Sequence, residues 1–249
     1  MIRKYFKKIL FALVPKHYLY FFSDVLVPKS FGQLGEDMVI HNHLSKFCLS
    51  ANERGSYIDI GCYHPSRGSN TFKFYRNGSS GLVIDVGEKK KRFWARVRPR
   101  DKFINAAVVP ESYKGKKIKF LKQTGYGKET DYVFEMGIQR SEHKEFIESE
   151  AINATQITKI CMKETDWFDA SWRFINIDIE GLDEKVILDF DLGLLKPDVI
   201  AIEKFLPKNL PQMKKIQYHS TSNLTKKLAE RGYRLSSICG KTLIYMRLL

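Results

Sequence analysis

The feature that most constrains the fold is an alternation, from residue 55 onward, of short β-rich runs with helix-like segments. Such an alternation is typical of βαβ units, which build a mostly parallel central sheet with helices on both faces. Strands are predicted near residues 56–61, 81–86, 103–109, 173–179 and 198–203. The sequence therefore predicts an α/β fold, and its 249 residues suit one such domain with an appendage.

Two later segments depart from this rhythm. Residues 110–165 contain a basic run at 114–119, a glycine-containing turn at 124–127 and a helix-like acidic run at 142–151. We interpret 110–165 as an insertion between the third and fourth strands, expected to cover the substrate side. Near the C-terminus, a helix at 224–229 precedes strands at 233–239 and 242–247, which predicts a closing antiparallel hairpin.

A short apolar strand at 57–61 ends in Asp59 and Gly61, and a loop at 62–71 separates it from a helical run. A glycine there lets backbone approach a ligand, and the next helix offers free N–H groups. Asp85 ends the following strand, where nucleotide-binding folds bind ribose hydroxyls; a solvent-facing acid in a turn is the alternative. The spaced glycines of a dinucleotide-binding loop do not follow Gly61, which favours a cofactor without a pyrophosphate over a dehydrogenase.

Carboxylates crowd the end of the strand at 173–179, where Asp178, Glu180 and Asp183 precede a helical segment. Glu203 ends the neighbouring strand and should reach the same edge of the sheet. The cluster predicts either a general base for an acceptor hydroxyl or a set of oxygen ligands for Mg²⁺ or Mn²⁺. The metal ligands would then be Asp178, Glu180 and Glu203. Capping of the next helix by Glu180 or Asp183 is the structural alternative.

Positive charge is in excess, because Lys and Arg number 42 against 28 Asp and Glu, a net charge of +14. Such a balance favours an anionic partner. Residues 1–30 form a separate segment with the pattern of a basic amphipathic helix, predicted to lie on an anionic membrane surface; docking on the core or on a second subunit of a homodimer is the alternative.

The sequence also bears on location. No apolar run reaches the length of a spanning helix, no cleavage site follows the apolar N-terminal part, and the four cysteines are scattered. We therefore expect a cytoplasmic protein, peripheral on the inner face of the membrane if the first segment binds lipid.

Several separated motifs occur in the order found in the FkbM-type methyltransferases, and the chain resembles that family from about residue 31 to 205. The motifs are Phe31-Gly32-Gln33-Leu34-Gly35-Glu36-Asp37, Tyr57-Ile58-Asp59-Ile60-Gly61, His64-Pro65 with Ser69-Asn70-Thr71, Arg98-Pro99, Asn105-Ala106, Ile177-Asp178-Ile179-Glu180-Gly181 and Val199-Ile200-Ala201-Ile202-Glu203. One departure is Asp85-Val86-Gly87, because the family usually has Glu-Pro-Asn after the second strand.

The resemblance implies a Rossmann-like class I methyltransferase fold over residues 31–249 and S-adenosylmethionine (SAM) as the methyl donor. It implies that Asp178 and Glu180, with Asp183 as a third candidate, serve catalysis or metal binding. The loop residue His64 is another catalytic candidate. The predicted cofactor side consists of Gln33, Glu36, Asp37, Asp59, Gly61, Asn70, Asp85, Asn105 and Ala106.

The function expected from the family is methyl transfer to a hydroxyl of a glycan or glycolipid in polysaccharide or glycolipid synthesis. A nucleic-acid methyltransferase would also use the positive charge, but no Asn-Pro-Pro-Tyr-like motif for a target base occurs, which disfavours nucleic acid as a partner. A metal-dependent glycosyltransferase is the third possibility, because Asp178-Ile179-Glu180 resembles a nucleotide-sugar metal motif.

Overall fold

The computed structural model of the protein describes residues 30–47, 53–125, 128–133, 146–179, 181–204 and 212–248. The predicted amphipathic segment lies outside the described residues apart from Ser30, and so does the acidic candidate Glu180. In the described residues, no helix has both the length and the apolar character needed to span a bilayer.

The elements follow the βαβ alternation that the sequence predicts. The strands are β1 (Ser56–Ile60), β2 (Ser80–Asp85), β3 (Lys102–Asn105), β4 (Ala107–Val108), β5 (Lys117–Gly125), β6 (Lys128–Val133), β7 (Phe146–Ile152), β8 (Arg173–Ile177), β9 (Val199–Glu203), β10 (Tyr233–Cys239) and β11 (Thr242–Arg247). The helices are α1 (Glu36–Leu44), α2 (Phe72–Arg76), α3 (Glu88–Val97), α4 (Ala154–Glu164), α5 (Asp183–Asp189), α6 (Leu192–Leu195), α7 (Gln212–Ser220) and α8 (Asn223–Glu230).

The main sheet has seven strands in the order β10-β11-β9-β8-β1-β2-β3. β1 pairs in parallel with β2 and β8, and the outer pairs β2–β3 and β8–β9 are also parallel. β11 runs antiparallel to both β9 and β10, which confirms the predicted C-terminal hairpin. The mostly parallel α/β sheet is thereby confirmed, and its central strands are nearly continuous apolar runs because both faces are covered.

Alternate residues of the strands pack on opposite faces of the sheet. Ile58 and Ile60 of β1 pack with helices α4, α5, α6 and α8, whereas Tyr57 packs on the other face with α1, α2 and α3. This second side is named the α1–α3 face below. A core on each side of the sheet holds the strands rigidly, so the residues at their ends occupy defined positions.

A second, four-stranded sheet in the order β4-β7-β5-β6 lies between β3 and β8 in the chain. The predicted strand at 103–109 was wrong in its extent: β3 ends at Asn105, and β4 pairs with β7 instead. The predicted helical run at 142–151 was also wrong, because residues from Phe146 onward form β7, paired antiparallel to β5. Cross-strand pairing overrides the local helical preference there.

Candidate active site

The carboxyl ends of the parallel strands bring the predicted site residues to one edge of the main sheet. Gly61 follows β1, Asp85 ends β2 and Asn105 ends β3. On the other side of β1, Asp178 follows β8 and Glu203 ends β9. This edge is where open α/β sheets bind ligands.

Glycine is required at position 61 for a structural reason that the sequence did not reveal. Its φ is +77°, and a Cβ placed there would lie 1.8 Å from the carbonyl oxygen of Asp178. The same turn is held by hydrogen bonds from the Gly61 N–H to Ile84 O and from the Asp178 N–H to Ile60 O, both 2.9 Å. The glycine is thus required by the approach of β8 to β1, and its contact with a cofactor stays a prediction.

Gly61→Ala is expected to destabilise the protein by about 3 kcal/mol or more, because it combines a left-handed backbone with a backbone clash. Gly232→Ala is the matched control, since Gly232 has a φ of +83° with no heavy atom within 4 Å of the added Cβ. That variant should lose only about 1–2 kcal/mol. Urea unfolding of both variants measures the difference. Equal losses of stability would contradict the predicted clash between the added Cβ and the Asp178 backbone.

Asp59 is buried at the centre of a polar network that joins β1, β8 and the loop after Gly61. Its Oδ1 accepts from Asn176 Nδ2 at 2.8 Å and its Oδ2 accepts from Thr71 Oγ1 at 2.5 Å. Asn176 Oδ1 in turn accepts from Asn70 Nδ2 at 3.0 Å. Burial raises the pKa of Asp59, and the two hydrogen bonds act against that rise. Asp59 therefore orients Asn70 through Asn176.

Three acceptor oxygens meet beside Gly32, and we name them the Gly32 oxygen cluster. A Cβ on Gly32 would lie 2.6 Å from Glu36 Oε2, 3.0 Å from Asn70 Oδ1 and 3.2 Å from Asp37 Oδ1. Both carboxylates are buried, and Asn70 Oδ1 is a buried acceptor with no hydrogen-bond partner among the described residues. Buried acceptors and like charges are costly alone. The cluster suits a cationic donor.

The carboxylates of this cluster also shape the loop before α1. Asp37 Oδ2 accepts from the Phe31 N–H at 2.8 Å, and Glu36 Oε2 accepts from the Leu34 N–H at 2.7 Å. Gln33, the first candidate of the motif, is exposed within this loop. The motif at 31–37 is thus a self-supporting turn that presents its acids inward.

The Asp85 carboxylate already accepts hydrogen bonds from other residues of the protein. Its Oδ2 accepts from the Tyr63 N–H at 2.7 Å, and its Oδ1 accepts from the Val86 N–H at 2.6 Å and from Lys90 Nζ at 3.1 Å. Burial raises the pKa of Asp85, and the charge of Lys90 lowers it. A carboxylate has about four lone-pair sites, so acceptor capacity remains for a ligand hydroxyl.

Asn105 and Ala106 stabilise the turn that follows β2. Asn105 Oδ1 accepts from the Gly87 N–H at 2.7 Å, and its Nδ2 donates to Glu88 Oε1 at 2.8 Å. The N–H of the buried Ala106 donates to the backbone oxygen of Asp85 at 3.2 Å. These two candidates therefore support Asp85, and direct contact with a cofactor stays a prediction.

Asp183 clamps the acidic turn after β8. Its Oδ1 accepts from the Ile179 N–H at 2.9 Å and its Oδ2 from the Gly181 N–H at 2.8 Å. Burial, opposed by these bonds and reinforced by the charge of Glu203, raises the pKa of Asp183 to about 6. Asp183 is a positioning residue for the turn, whereas Asp178 is half-buried and its role as the general base stays a prediction.

The predicted metal ligands are described only in part. Glu203 Oε1 lies 3.5 Å from Lys241 Nζ, and its Oε2 is buried without a hydrogen-bond partner among the described residues. Glu180 lies outside those residues. The described part of the chain contains no group of three or more His, Cys, Asp or Glu residues arranged to hold a metal. The metal interpretation stays a prediction.

The buried carboxyl of Asp183 predicts a dependence of stability on pH. Its folded pKa of about 6 lies above the reference 3.8, so its proton stabilises the fold fully below pH 3.8, and this stability is lost as pH rises through 6. Relative to Asp183→Asn, the wild-type protein should lose about 2 kcal/mol between pH 4.5 and 7. Urea unfolding across that range measures it, and a flat difference would contradict the raised pKa.

His64 caps the loop after β1. Its Nδ1 accepts from the backbone N–H groups of Ser66 at 3.1 Å and Arg67 at 3.0 Å, which places the ring proton on Nε2. Burial lowers the pKa of His64 to about 4, so the ring is neutral at neutral pH. The structure gives His64 a capping role, and its catalytic role stays a prediction.

Arg98, which in the sequence is only one residue of the Arg98-Pro99 motif, is at the centre of the polar network that includes Thr71. Its side chain is buried, and Nε donates to Asp101 Oδ2 at 2.6 Å. The terminal nitrogens donate to Tyr57 Oη at 2.7 Å, to Thr71 Oγ1 at 3.1 Å and to Pro65 O at 3.2 Å. A basic residue at the end of α3 gives no local sign of burial, so sequence alone could not have revealed this.

Comparison with known proteins agrees with this arrangement. The family model described as Methyltransferase FkbM domain matches residues 59–235, which is more than half of the chain and runs from Asp59 in β1 to Leu235 in β10. No curated protein gives a significant match. The matched range contains Gly61, Asp85, Asp178 and Asp183 at the carboxyl edge. The chain belongs to the FkbM methyltransferase family and is a methyltransferase.

Proposed function

We propose that the protein is a SAM-dependent O-methyltransferase with a Rossmann-like class I fold. The Gly32 oxygen cluster carries the proposal, because buried acceptor oxygens gathered beside one glycine suit the cationic end of SAM. Strand order adds support: from β1 the chain proceeds to β2 and β3 on one side and from β8 to β9 on the other. Ligands bind at such a switch point in open α/β sheets.

The residues present fit SAM in two places. Glu36, Asp37 and Asn70 would accept hydrogen bonds from the ammonium of its methionine part, and Asp85 would accept from its ribose. When bound, SAM supplies a methyl group on a positively charged sulfur. The buried carboxylates of Glu36 and Asp37 would compensate the positive charge of the ammonium, because a buried cation needs a negatively charged partner.

Asp178 is the proposed general base. It follows β8 at the carboxyl edge, and the clamp of Asp183 on Ile179 and Gly181 defines the turn around it. Its carboxylate would take the proton that the acceptor hydroxyl loses as its oxygen gains the methyl group. Most of the acceleration is expected from alignment of the two substrates and from the charges around them.

A sugar hydroxyl of a polysaccharide or glycolipid is the proposed acceptor. The family resemblance supports this choice, and the net charge of +14 suits a glycan that carries phosphate or uronic acid. Assays with radiolabelled SAM on anionic glycans, neutral glycans and RNA test it directly. Methyl transfer to RNA alone would replace this proposal with the nucleic-acid alternative.

Glu36→Gln is expected to weaken SAM binding about tenfold or more, because a charge-assisted hydrogen bond is replaced by a neutral one. Methylthioadenosine has no ammonium group, so its affinity should change little in the same variant. Titration calorimetry with both ligands separates loss of that contact from general damage to the site. An equal loss for both ligands would contradict the assigned contact.

Two further measurements address the alternatives for the acidic turn. Activity that survives exhaustive EDTA treatment would contradict the prediction that Asp178, Glu180 and Glu203 bind Mg²⁺ or Mn²⁺. Calorimetry with nucleotide sugars tests the glycosyltransferase alternative, for which SAM should not bind. Binding of SAM with no response to nucleotide sugars is the expected outcome.

A further inference from the structure

Exposed charges on the α1–α3 face are nearly all positive. Among the described residues of these three helices, the acids of α1 are buried and the exposed acid is Glu88. The exposed cations are Arg76, Lys89, Lys91, Arg92 and Arg96. The face therefore presents a positive surface that its own acids do not neutralise.

Helix α3 supplies most of this charge, and its orientation is fixed by packing. Trp94 and Val97 are buried, and Trp94 belongs to the core of the α1–α3 face. Helical spacing then places Arg92 and Arg96 opposite Trp94, and Lys91, Arg92 and Arg96 are all exposed. None of the three forms an ion pair with a described residue.

The opposite face of the sheet has a smaller excess of positive charge. Its helices α4, α5 and α8 also expose five lysines, but three exposed acids, Glu164, Asp189 and Glu230, offset them. The α1–α3 face therefore carries the larger net positive charge, because fewer exposed acids offset its cations. An uneven distribution of this kind directs an extended anionic partner to that side.

We propose that the α1–α3 face binds the surface of an anionic phospholipid bilayer. Its cations spread over two helices on one side of a sheet, which suits a planar array of negative headgroups. α3 begins just after Asp85, so the membrane would border the carboxyl edge and its candidate site. The inference goes beyond the proposed methyl transfer and does not depend on it.

The point where the described chain begins supports this occupant. The Phe31 ring lies 4.9 Å from the Phe72 ring of α2, centroid to centroid, and the Ser69 N–H donates to Phe31 O at 3.0 Å. Residues 1–29, with Arg3, Lys4, Lys7 and Lys8 among them, therefore join the fold at the α1–α3 face. The segment is thus attached to the side of the protein that carries the α3 cations.

The test uses the full chain and two charge-reversal variants with the same change in net charge. One carries Lys91→Glu, Arg92→Glu and Arg96→Glu. The control carries Lys159→Glu, Lys163→Glu and Lys227→Glu, which are exposed on the opposite face. Each protein is sedimented with vesicles of phosphatidylcholine, with and without phosphatidylglycerol, at low and high salt.

The wild-type protein and the control should bind the phosphatidylglycerol vesicles, with binding reduced by salt. The α3 variant should partition at least about tenfold more weakly. Equal losses in both variants, no loss in the α3 variant, or equal binding to neutral vesicles would each overturn the proposal. RNA binding is measured for the same three proteins. The proposal would also be overturned if the α3 variant alone lost RNA binding and the wild-type protein showed no preference for anionic vesicles. Circular dichroism, and the triple alanine variant at the same positions, exclude misfolding as the cause.

Discussion

Replacing Asp178 by Asn is expected to lower kcat for methyl transfer by about 10²- to 10⁴-fold, the usual contribution of a positioned general base. An amide has nearly the same shape as the carboxylate but cannot take up the proton of the acceptor hydroxyl. The main chain should stay in place, because the Asp178 N–H donates to Ile60 O whichever side chain is present. SAM affinity, measured by calorimetry, should therefore remain nearly unchanged.

The control for this variant is Asp166→Asn, which removes an exposed acid in the segment after α4. It should retain full activity. The pH profile adds a second readout, since loss of a base should also remove the fall in rate at acidic pH. Full activity of Asp178→Asn, or a loss explained by weaker SAM binding alone, would contradict the assigned role.

Replacing Arg98 by Met is expected to lower the free energy of unfolding by about 3–5 kcal/mol, because it leaves the buried carboxylate of Asp101 without its ion pair. Arg98 also lies among aromatic rings, with its Cζ 4.5 Å from the Trp94 centroid and 5.0 Å from the Tyr75 centroid. Urea unfolding followed by circular dichroism measures the loss.

Arg96→Met is the matched control, because Arg96 lies on the same helix and is exposed. It should change stability by no more than about 0.5 kcal/mol. Arg98→Lys keeps the charge but not the planar fork of donors, so its loss should be intermediate. A loss below about 1 kcal/mol in Arg98→Met would contradict the network described above.

The Arg98 network also links stability to the candidate site. Both terminal nitrogens of Arg98 donate to Thr71 Oγ1 at 3.1 Å, and Thr71 Oγ1 donates to Asp59. Asp59 then reaches Asn70 through Asn176. We therefore expect Arg98 variants that still fold to bind SAM more weakly than Arg96 variants, although Arg98 is not assigned to the cofactor.

Much of the main sheet could be predicted because each parallel strand is a short apolar run between turn signals. β1, β8 and β9 appear within the predicted ranges, and the hairpin strands β10 and β11 have the predicted bounds. The predictions of a strand at 103–109 and of a helix-like run at 142–151 were wrong because the secondary structure of these residues depends on strands that are distant in sequence. β7 pairs with β4 and β5, which local sequence does not specify.

The sequence by itself determined the class of fold, the family and the edge at which the acids gather, since strand periodicity and motif order are local properties of the chain. Only the tertiary structure decided what each acid does. Asp59 binds Asn176, a residue 117 positions away, whereas Asp183 clamps its own turn and Gly61 makes room for Asp178. These roles depend on which strands become neighbours, and that is set by packing across the whole sheet.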